Sequence, residues 1–203
     1  MLIGLISDTH IGYPSEILPP HIKGYTKNVE VTTLPREVME ALRGVDLILH
    51  AGDVYIPSIL NQLETIAPVK AAWGDDDVPA DFGVDNRLKK RHTFNFDGVT
   101  LWLTHVRPTF WLVDPEEEGY FLTSDPEEWE GPSDLPPSPP DIIVHGHTHS
   151  SVVEYLDEIE SNKSVLVVNP GSATFPNYVA KLGSIALLTI NGGEVKARIV
   201  PLD

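Results

Sequence analysis

Five times along the chain a short apolar run stops at an aspartate or a histidine. Leu2 to Ile6 runs into Asp8-Thr9-His10, Asp46 to His50 into Ala51-Gly52-Asp53, and Val69 to Trp73 into Gly74-Asp75-Asp76-Asp77. Val99 to Thr104 is followed directly by His105, and Ile142-Ile143-Val144 by His145-Gly146-His147-Thr148-His149. Short continuous apolar runs read as strands buried on both faces. Helical patterns separate the first three. Leu34-Pro35 opens a helix through Leu42, with Val38, Met39 and Leu42 on one face and Gly44 as its stop; Pro57 opens another, with Ile59, Leu60, Leu63 and Ile66 at the helical period. Strand, helix, strand, helix, strand predicts a parallel sheet, and such sheets place their chemistry at the carboxyl ends of the strands.

Further along, Thr93 to Phe96 and Val99 to Thr104 flank Asp97-Gly98, a hairpin signal. The basic run Arg87 to Arg91 before it reads as a solvated loop. Val152 to Leu156, Ser164 to Val168, Ile185 to Ile190 and Glu194 to Val200 are strand-like, which predicts a mainly β layer for the C-terminal third. Trp73 and Trp102 fit strand core. Two stretches interrupt the pattern, 11–34 with its glycines and prolines and 109–140 with Pro, Glu, Asp and scattered aromatics. Both read as inserted loops, or lids, on a single domain of 203 residues.

The segment Val144 to Ser150 carries three imidazoles in five residues, with a glycine that allows a tight turn. Neutral imidazole is the commonest metal ligand, so the cluster suits a transition metal; taken alone it could also be a histidine-rich surface turn. The chain has no cysteine, so any metal must be held by His, Asp, Glu, Asn or backbone oxygen, a donor set for manganese, iron or zinc. Asp8, His10, Asp53, Asp75 to Asp77, His105, His147 and His149 together are hard to explain as turn residues. They also exceed the four ligands of one tetrahedral site, which predicts two metals with Asp53 as the bridging carboxylate. His50 and His145 read as packed residues behind the ligands. The formal net charge of -16 disfavours long nucleic acid as a partner but leaves a small anionic substrate held at a metal. The N-terminal run lacks a basic n-region, and no apolar stretch reaches the roughly 18 residues that span a bilayer. A cytoplasmic protein with no membrane partner is therefore expected.

The series Asp8-Thr9-His10, Gly52-Asp53, Gly74-Asp75-Asp76-Asp77, His105, Gly146-His147-Thr148-His149 and Asn169-Pro170-Gly171-Ser172 resembles the calcineurin-like metallophosphoesterases, in particular their small single-domain prokaryotic phosphodiesterase branch. The resemblance runs in order from residue 2 to the C-terminus. It implies an α/β fold, a four-layer αββα sandwich of two mixed β-sheets with the site at the strand ends. It also implies that Asp8, His10 and His149 hold one metal, that Asp53 bridges, and that Asp75, His105 and His147 complete the second. The ions would be divalent, manganese first, with iron, zinc or nickel as alternatives. A metal-bridging hydroxide, with no side-chain nucleophile, would attack a phosphodiester or another small phosphorylated metabolite, diesters in preference to monoesters. The same resemblance includes a retromer subunit, so a non-catalytic protein-binding scaffold is the alternative; a metal-dependent nuclease is disfavoured by charge. Two departures stand out. Asp75 replaces the family's Asn, and Asp76 stands where many relatives carry a His. Asp76 and Arg107 are weak candidates for contact with the phosphate, and Asn169 to Ser172 reads as a structural turn near the site.

Overall fold

The computed structural model of the protein describes residues 1–12, 32–108, 110–112, 120–122, 140–157 and 164–203. Its larger sheet is built on four parallel strands, β1 (Leu2–Ile6), β2 (Leu47–His50), β3 (Val69–Ala72) and β4 (Leu88–Lys89). The smaller sheet holds β5 (His92–Phe96), β6 (Val99–Leu103), β9 (Ile142–Val144), β10 (Val152–Asp157) and β11 (Ser164–Asn169), in the order β10-β11-β9-β6-β5. Within it β6, β9 and β11 run parallel, while β5 and β10 close the two edges antiparallel. Two further strands, β7 (Phe110–Leu112) and β8 (Tyr120–Leu122), pair as a separate hairpin.

The C-terminal strands do not form one layer as expected from their sequence. β10 and β11 belong to the smaller sheet, whereas β12 (Ser184–Asn191) and β13 (Glu194–Pro201) extend the larger one to the order β13-β12-β1-β2-β3-β4. The free edge of β1 explains this. β12 pairs with it antiparallel, Leu2 opposite Thr189 and Leu5 opposite Ala186, covering backbone groups that burial would otherwise leave unpaired.

The pleat then sorts the side chains. Ile3, Leu5, Leu49 and Ala72 of the larger sheet face Leu101, Leu103, Ile142, Val144, Leu166 and Val168 of the smaller, and together they form the core between the sheets. On the other face of the larger sheet, Ile6, Ile48, Val69 and Ala71 pack against Val38 of α1 (Arg36–Ala41) and Ile59, Leu60 and Leu63 of α2 (Pro57–Glu64). Pro57 occupies the first turn of α2 after an extended Ile56, and Gly44 stops the segment after α1 with φ of 81°. Each fully buried Leu or Ile contributes about 1.5–3 kcal/mol, so the three of α2 hold that helix in place. A short helix, α3 (Pro79–Phe82), adds Phe82 to the same face. Two mixed sheets packed as a sandwich, with helices on the outer face of the larger, make the expected α/β fold. On the outer face of the smaller sheet Ile143, Val165 and Val167 are buried in a cluster that contains no helix among the described residues.

The basic run corrects one expectation. Arg87 to Arg91 is not a solvated loop, because Leu88 is buried and Leu88–Lys89 pairs parallel with β3 as the sheet's edge. The cations stay at the rim. Arg87 reaches Asp85 at 2.6 Å and Glu64 at 2.9 Å, and Arg91 lies over the Trp102 ring, 5.0 Å from its centroid. Of the two suspected inserts, residues 13–31 in the first and 109, 113–119 and 123–139 in the second lie outside the described residues; the β7–β8 hairpin within the second was not anticipated. Among the described residues no helix is long and apolar enough to cross a membrane.

Candidate metal centre

The parallel register brings Ile6, His50 and Ala71 side by side, so the loops after β1, β2 and β3 leave the larger sheet at one edge. In the smaller sheet Leu103 lies opposite Val144, which does the same for the loops after β6 and β9. Backbone hydrogen bonds join these loops. Asp8 N–H donates to the Gly52 carbonyl at 3.0 Å, Thr9 and His10 N–H to that of Asp53 at 3.0 and 3.2 Å, and Gly146 N–H to that of His105 at 2.9 Å. Here Asp8, His10, Asp53, His147 and His149 all adopt left-handed backbone, with φ of 52°, 45°, 56°, 69° and 56°. Such positions cost on the order of 1–3 kcal/mol each and persist where the surroundings over-determine them, commonly at functional sites.

Seven side chains converge in two groups. Asp8, His10, Asp53 and His149 offer ligand atoms within 4.8 Å of one another, and Asp75, His105 and His147 do the same. Asp53, a member of the first group, also reaches the second: its Oδ2 is 3.4 Å from His10 Nε2 and 3.4 Å from His105 Nε2. Asp75 Oδ1 approaches His105 Nε2 to 2.6 Å and His147 Nδ1 to 3.2 Å, while His149 Nε2 lies 3.0 Å from His10 Nε2 and 3.5 Å from Asp8 Oδ1. Asp75 therefore places a carboxylate within the second group.

The ring nitrogens are sorted by carbonyls. His105 Nδ1 lies 2.7 Å from the Ala51 carbonyl and His149 Nδ1 2.8 Å from that of Phe175. A carbonyl only accepts, so each Nδ1 carries a proton and each Nε2 is turned toward the carboxylates. Burial makes the groups electrostatically unlike. It lowers His10 to about 4 and lowers His149, leaving both neutral and ready to donate a lone pair, and it raises Asp8 to about 7. Burial also acts to lower His105, but the carboxylates of Asp53 and Asp75 overcome it and hold the imidazolium up to about 11. Asp75 is correspondingly lowered by its contact with His105.

The donor set and its unmet needs fit divalent cations. Asp8 Oδ2 is buried without a hydrogen-bond partner, which is costly unless a charge is supplied. Asp8, His10, His149 and Asp53 would hold one ion, and Asp75, His105 and His147, with Asp53, a second. Glycines make the space. A Cβ on Gly74 would overlap the Asp53 carboxylate and amide, one on Gly146 would overlap Ser7 Oγ and lie 2.8 Å from Asp8 Oδ2, and one on Gly52 would overlap the His105 ring.

The neighbouring residues take distinct places. Asp77 accepts N–H bonds from Val54, Tyr55 and Gly74, each at 2.8 Å, and so clamps the loops after β2 and β3 together. Asp76 turns instead to Tyr55, whose hydroxyl donates to Asp76 Oδ2 at 3.0 Å. His50 is fully buried with its Nε2 3.2 Å from Thr9 Oγ1, and buried His145 contacts the Gly146 carbonyl; neither joins a ligand group. Arg107 pairs with Glu154 at 2.8 Å. Asn169 donates to the Gly146 carbonyl at 2.9 Å and to Thr148 Oγ1 at 3.0 Å, and Ser172 Oγ donates to the Asp8 carbonyl at 2.7 Å, so the end of β11 and the turn after it buttress the loops that follow β9 and β1. Sequence reasoning missed the aromatic collar. Tyr178 stacks on His149 at 4.5 Å, Tyr55 stands edge-on to His10 at 4.7 Å, and Phe175 lies 5.3 Å from His10.

Comparison with known proteins gives the family and the fold. The family model for the calcineurin-like phosphoesterase superfamily domain matches residues 1–193. A protein of Methanothermobacter thermautotrophicus named "Probable metallophosphoesterase" is 30% identical over 202 residues, covering 98% of this chain and 92% of its own. Among solved structures, zinc-complexed Vps29 of Entamoeba histolytica superposes with a TM-score of 0.58 at 21% identity, each chain covered in full. A structure described as a novel archaeal phosphodiesterase gives 0.57 at 22% identity, over 98% of this chain and 100% of its own. At these identities the two structures speak to the fold.

Proposed function

The chain belongs to the calcineurin-like phosphoesterase superfamily, and from that premise we propose that it is a dinuclear metal-dependent phosphodiesterase acting on a small phosphorylated substrate. The observation that carries the reading is the position of Asp53, equidistant at 3.4 Å from a histidine of each ligand group. Two divalent cations supply the chemistry expected of such a pair, acidifying water near neutral pH and neutralising charge on the phosphoryl oxygens. Manganese suits the nitrogen and oxygen donors, and the lack of thiolates removes the softest alternatives.

The chain's own part is placement. Asp8, His10 and His149 gather one ion, Asp75, His105 and His147 the other, and the Ala51 and Phe175 carbonyls hold two of the rings in the useful tautomer. The site's rim supports a diester. The side chain of Asp76 is 44% exposed, so negative charge faces an arriving substrate. A dianionic monoester is repelled more strongly than a monoanionic diester. The overall charge of -16 works against long nucleic acid in the same way. The neighbouring archaeal structure, described as a phosphodiesterase, is consistent with this choice.

The test is hydrolysis of bis-p-nitrophenyl phosphate and of p-nitrophenyl phosphate by metal-stripped protein, with and without added manganese. The reading expects manganese-dependent turnover, faster on the diester and abolished by chelation. A metal-replete protein inert on both esters would move the chain to the scaffold reading instead.

A further inference from the structure

We propose that Asp76, anchored by the phenol of Tyr55, is the residue that positions the imidazole of His10 toward its metal ion. The inference rests on the metal-binding reading above and deepens it. A histidine that gives one ring nitrogen to a cation needs an acceptor for the N–H of the other, and that acceptor fixes both tautomer and ring orientation. Two ligand histidines satisfy this with carbonyls, His105 through Ala51 at 2.7 Å and His149 through Phe175 at 2.8 Å. His10 is different. Its Nε2 faces Asp53 and His149, while its Nδ1 is buried and has no hydrogen-bond partner.

A carboxylate oxygen stands beside that orphaned nitrogen. Asp76 Oδ2 is 3.9 Å from His10 Nδ1, beyond hydrogen-bond length but within reach of a small rotation of a half-exposed side chain. The same oxygen accepts the Tyr55 hydroxyl at 3.0 Å, and the Asp76 N–H donates to Asp53 Oδ1 at 3.1 Å, so both ends of Asp76 are tied to the site. Tyr55 is itself fixed. Its ring is buried edge-on against His10 at 4.7 Å, and its N–H is held by Asp77 at 2.8 Å. The rings of Tyr55, His149 and Phe175 surround His10 with contacts that limit where it sits, but none of them supplies an acceptor to Nδ1 in the structure. Asp76 does so when the ring is drawn onto a cation, which gives a chemical reason for an acid at this position.

The experiment uses the full chain, stripped of metal, and zinc alone. Zinc affinity is read by competition with a chromophoric chelator, and the His10 ring is followed by long-range proton–nitrogen correlation with resonances assigned through His10→Asn. The Asp76→Ala protein is expected to lose about 10- to 100-fold in affinity for the ion at His10. It should also lose the downfield His10 Nδ1–H signal of a carboxylate-bonded imidazole while leaving the His105 ring unchanged. Asp76→Asn keeps an acceptor oxygen and should recover most of the affinity, with the His10 Nδ1–H signal less far downfield than in the wild type. Tyr55→Phe, which removes only the hydroxyl and leaves the ring on His10, should fall between. Wild-type zinc affinity and an unmoved His10 signal in Asp76→Ala would overturn this role and leave the metal reading standing. A wild-type chain that takes up no zinc would overturn the metal reading and this role with it.

Discussion

Asp75 Oδ1 lies 2.6 Å from His105 Nε2, so a carboxylate and an imidazolium meet where the second ion would sit. In the metal-free protein the pair is self-satisfying, with His105 held up to about 11 against the burial that lowers it. A cation must therefore displace a proton to enter, and its affinity depends on pH.

Replacing Asp75 with Asn tests both sides of that relationship. The variant keeps size and one oxygen ligand while removing the charge. In the metal-free protein the His105 pKa should fall, as read from its ring resonances. In the loaded protein occupancy of the second site should weaken, and the rise of rate with pH should move to lower pH because a neutral ligand leaves more of the ion's charge to act on water. Unchanged metal stoichiometry together with an unchanged pH profile would place Asp75 outside the ligand set.

How far the sequence reached can be judged at the same residues. The runs ending at Asp8, Asp53, Asp75, His105 and His147 were readable because apolar period and terminal polar residue lie within a few positions of each other, and the structure does bring these ends together. Gly44 and Pro57 marked helix boundaries for the same local reason. Spacing alone does not sort the three carboxylates in a row at 75–77, and only the resemblance singles out Asp75, since their roles depend on what lies across the loop: a histidine for Asp75, a phenol for Asp76 and three amides for Asp77. The join of β12 to β1 spans most of the chain and leaves no local mark. Tyr55, Phe175 and Tyr178 carry no spacing signal because their shared feature is contact with His10 and His149, which only the fold creates.

Buried Asp8 gives a prediction about stability and pH. Burial raises its pKa from 3.8 to about 7, so the native state binds its proton more tightly than the unfolded chain does. The group then costs nothing below pH 3.8, and its ionisation lowers stability progressively as pH rises toward 7. Asp8→Asn should be at least as stable as the wild type at pH 8 in chelator, by thermal unfolding. Added manganese should reverse the order by raising the wild-type midpoint more than that of Asp8→Asn, which lacks a ligand of the first ion. A wild-type advantage that persists in chelator at pH 8 would mean that the carboxylate is not destabilising without metal.

The glycine beside Asp8 separates space from backbone strain. Gly146→Ala puts a methyl group against Ser7 and the Asp8 carboxylate, so metal content should fall even where the protein remains folded. Gly44 has φ of 81° but open space around its Cα, so Gly44→Ala should cost about 1–2 kcal/mol of stability and leave metal content unchanged. Equal metal content in the two variants, measured by elemental analysis of folded protein, would show that the Gly146 approach does not set the site.

The bridging role proposed for Asp53 is tested most directly by titrating metal-stripped protein with manganese while following bis-p-nitrophenyl phosphate hydrolysis, in the wild type and in Asp53→Asn. Two ions sharing one carboxylate predict that wild-type activity climbs until the second equivalent is bound and that Asp53→Asn stays near the uncatalysed rate throughout. Full wild-type activity at one equivalent, or an Asp53→Asn protein that turns over normally, would contradict the account.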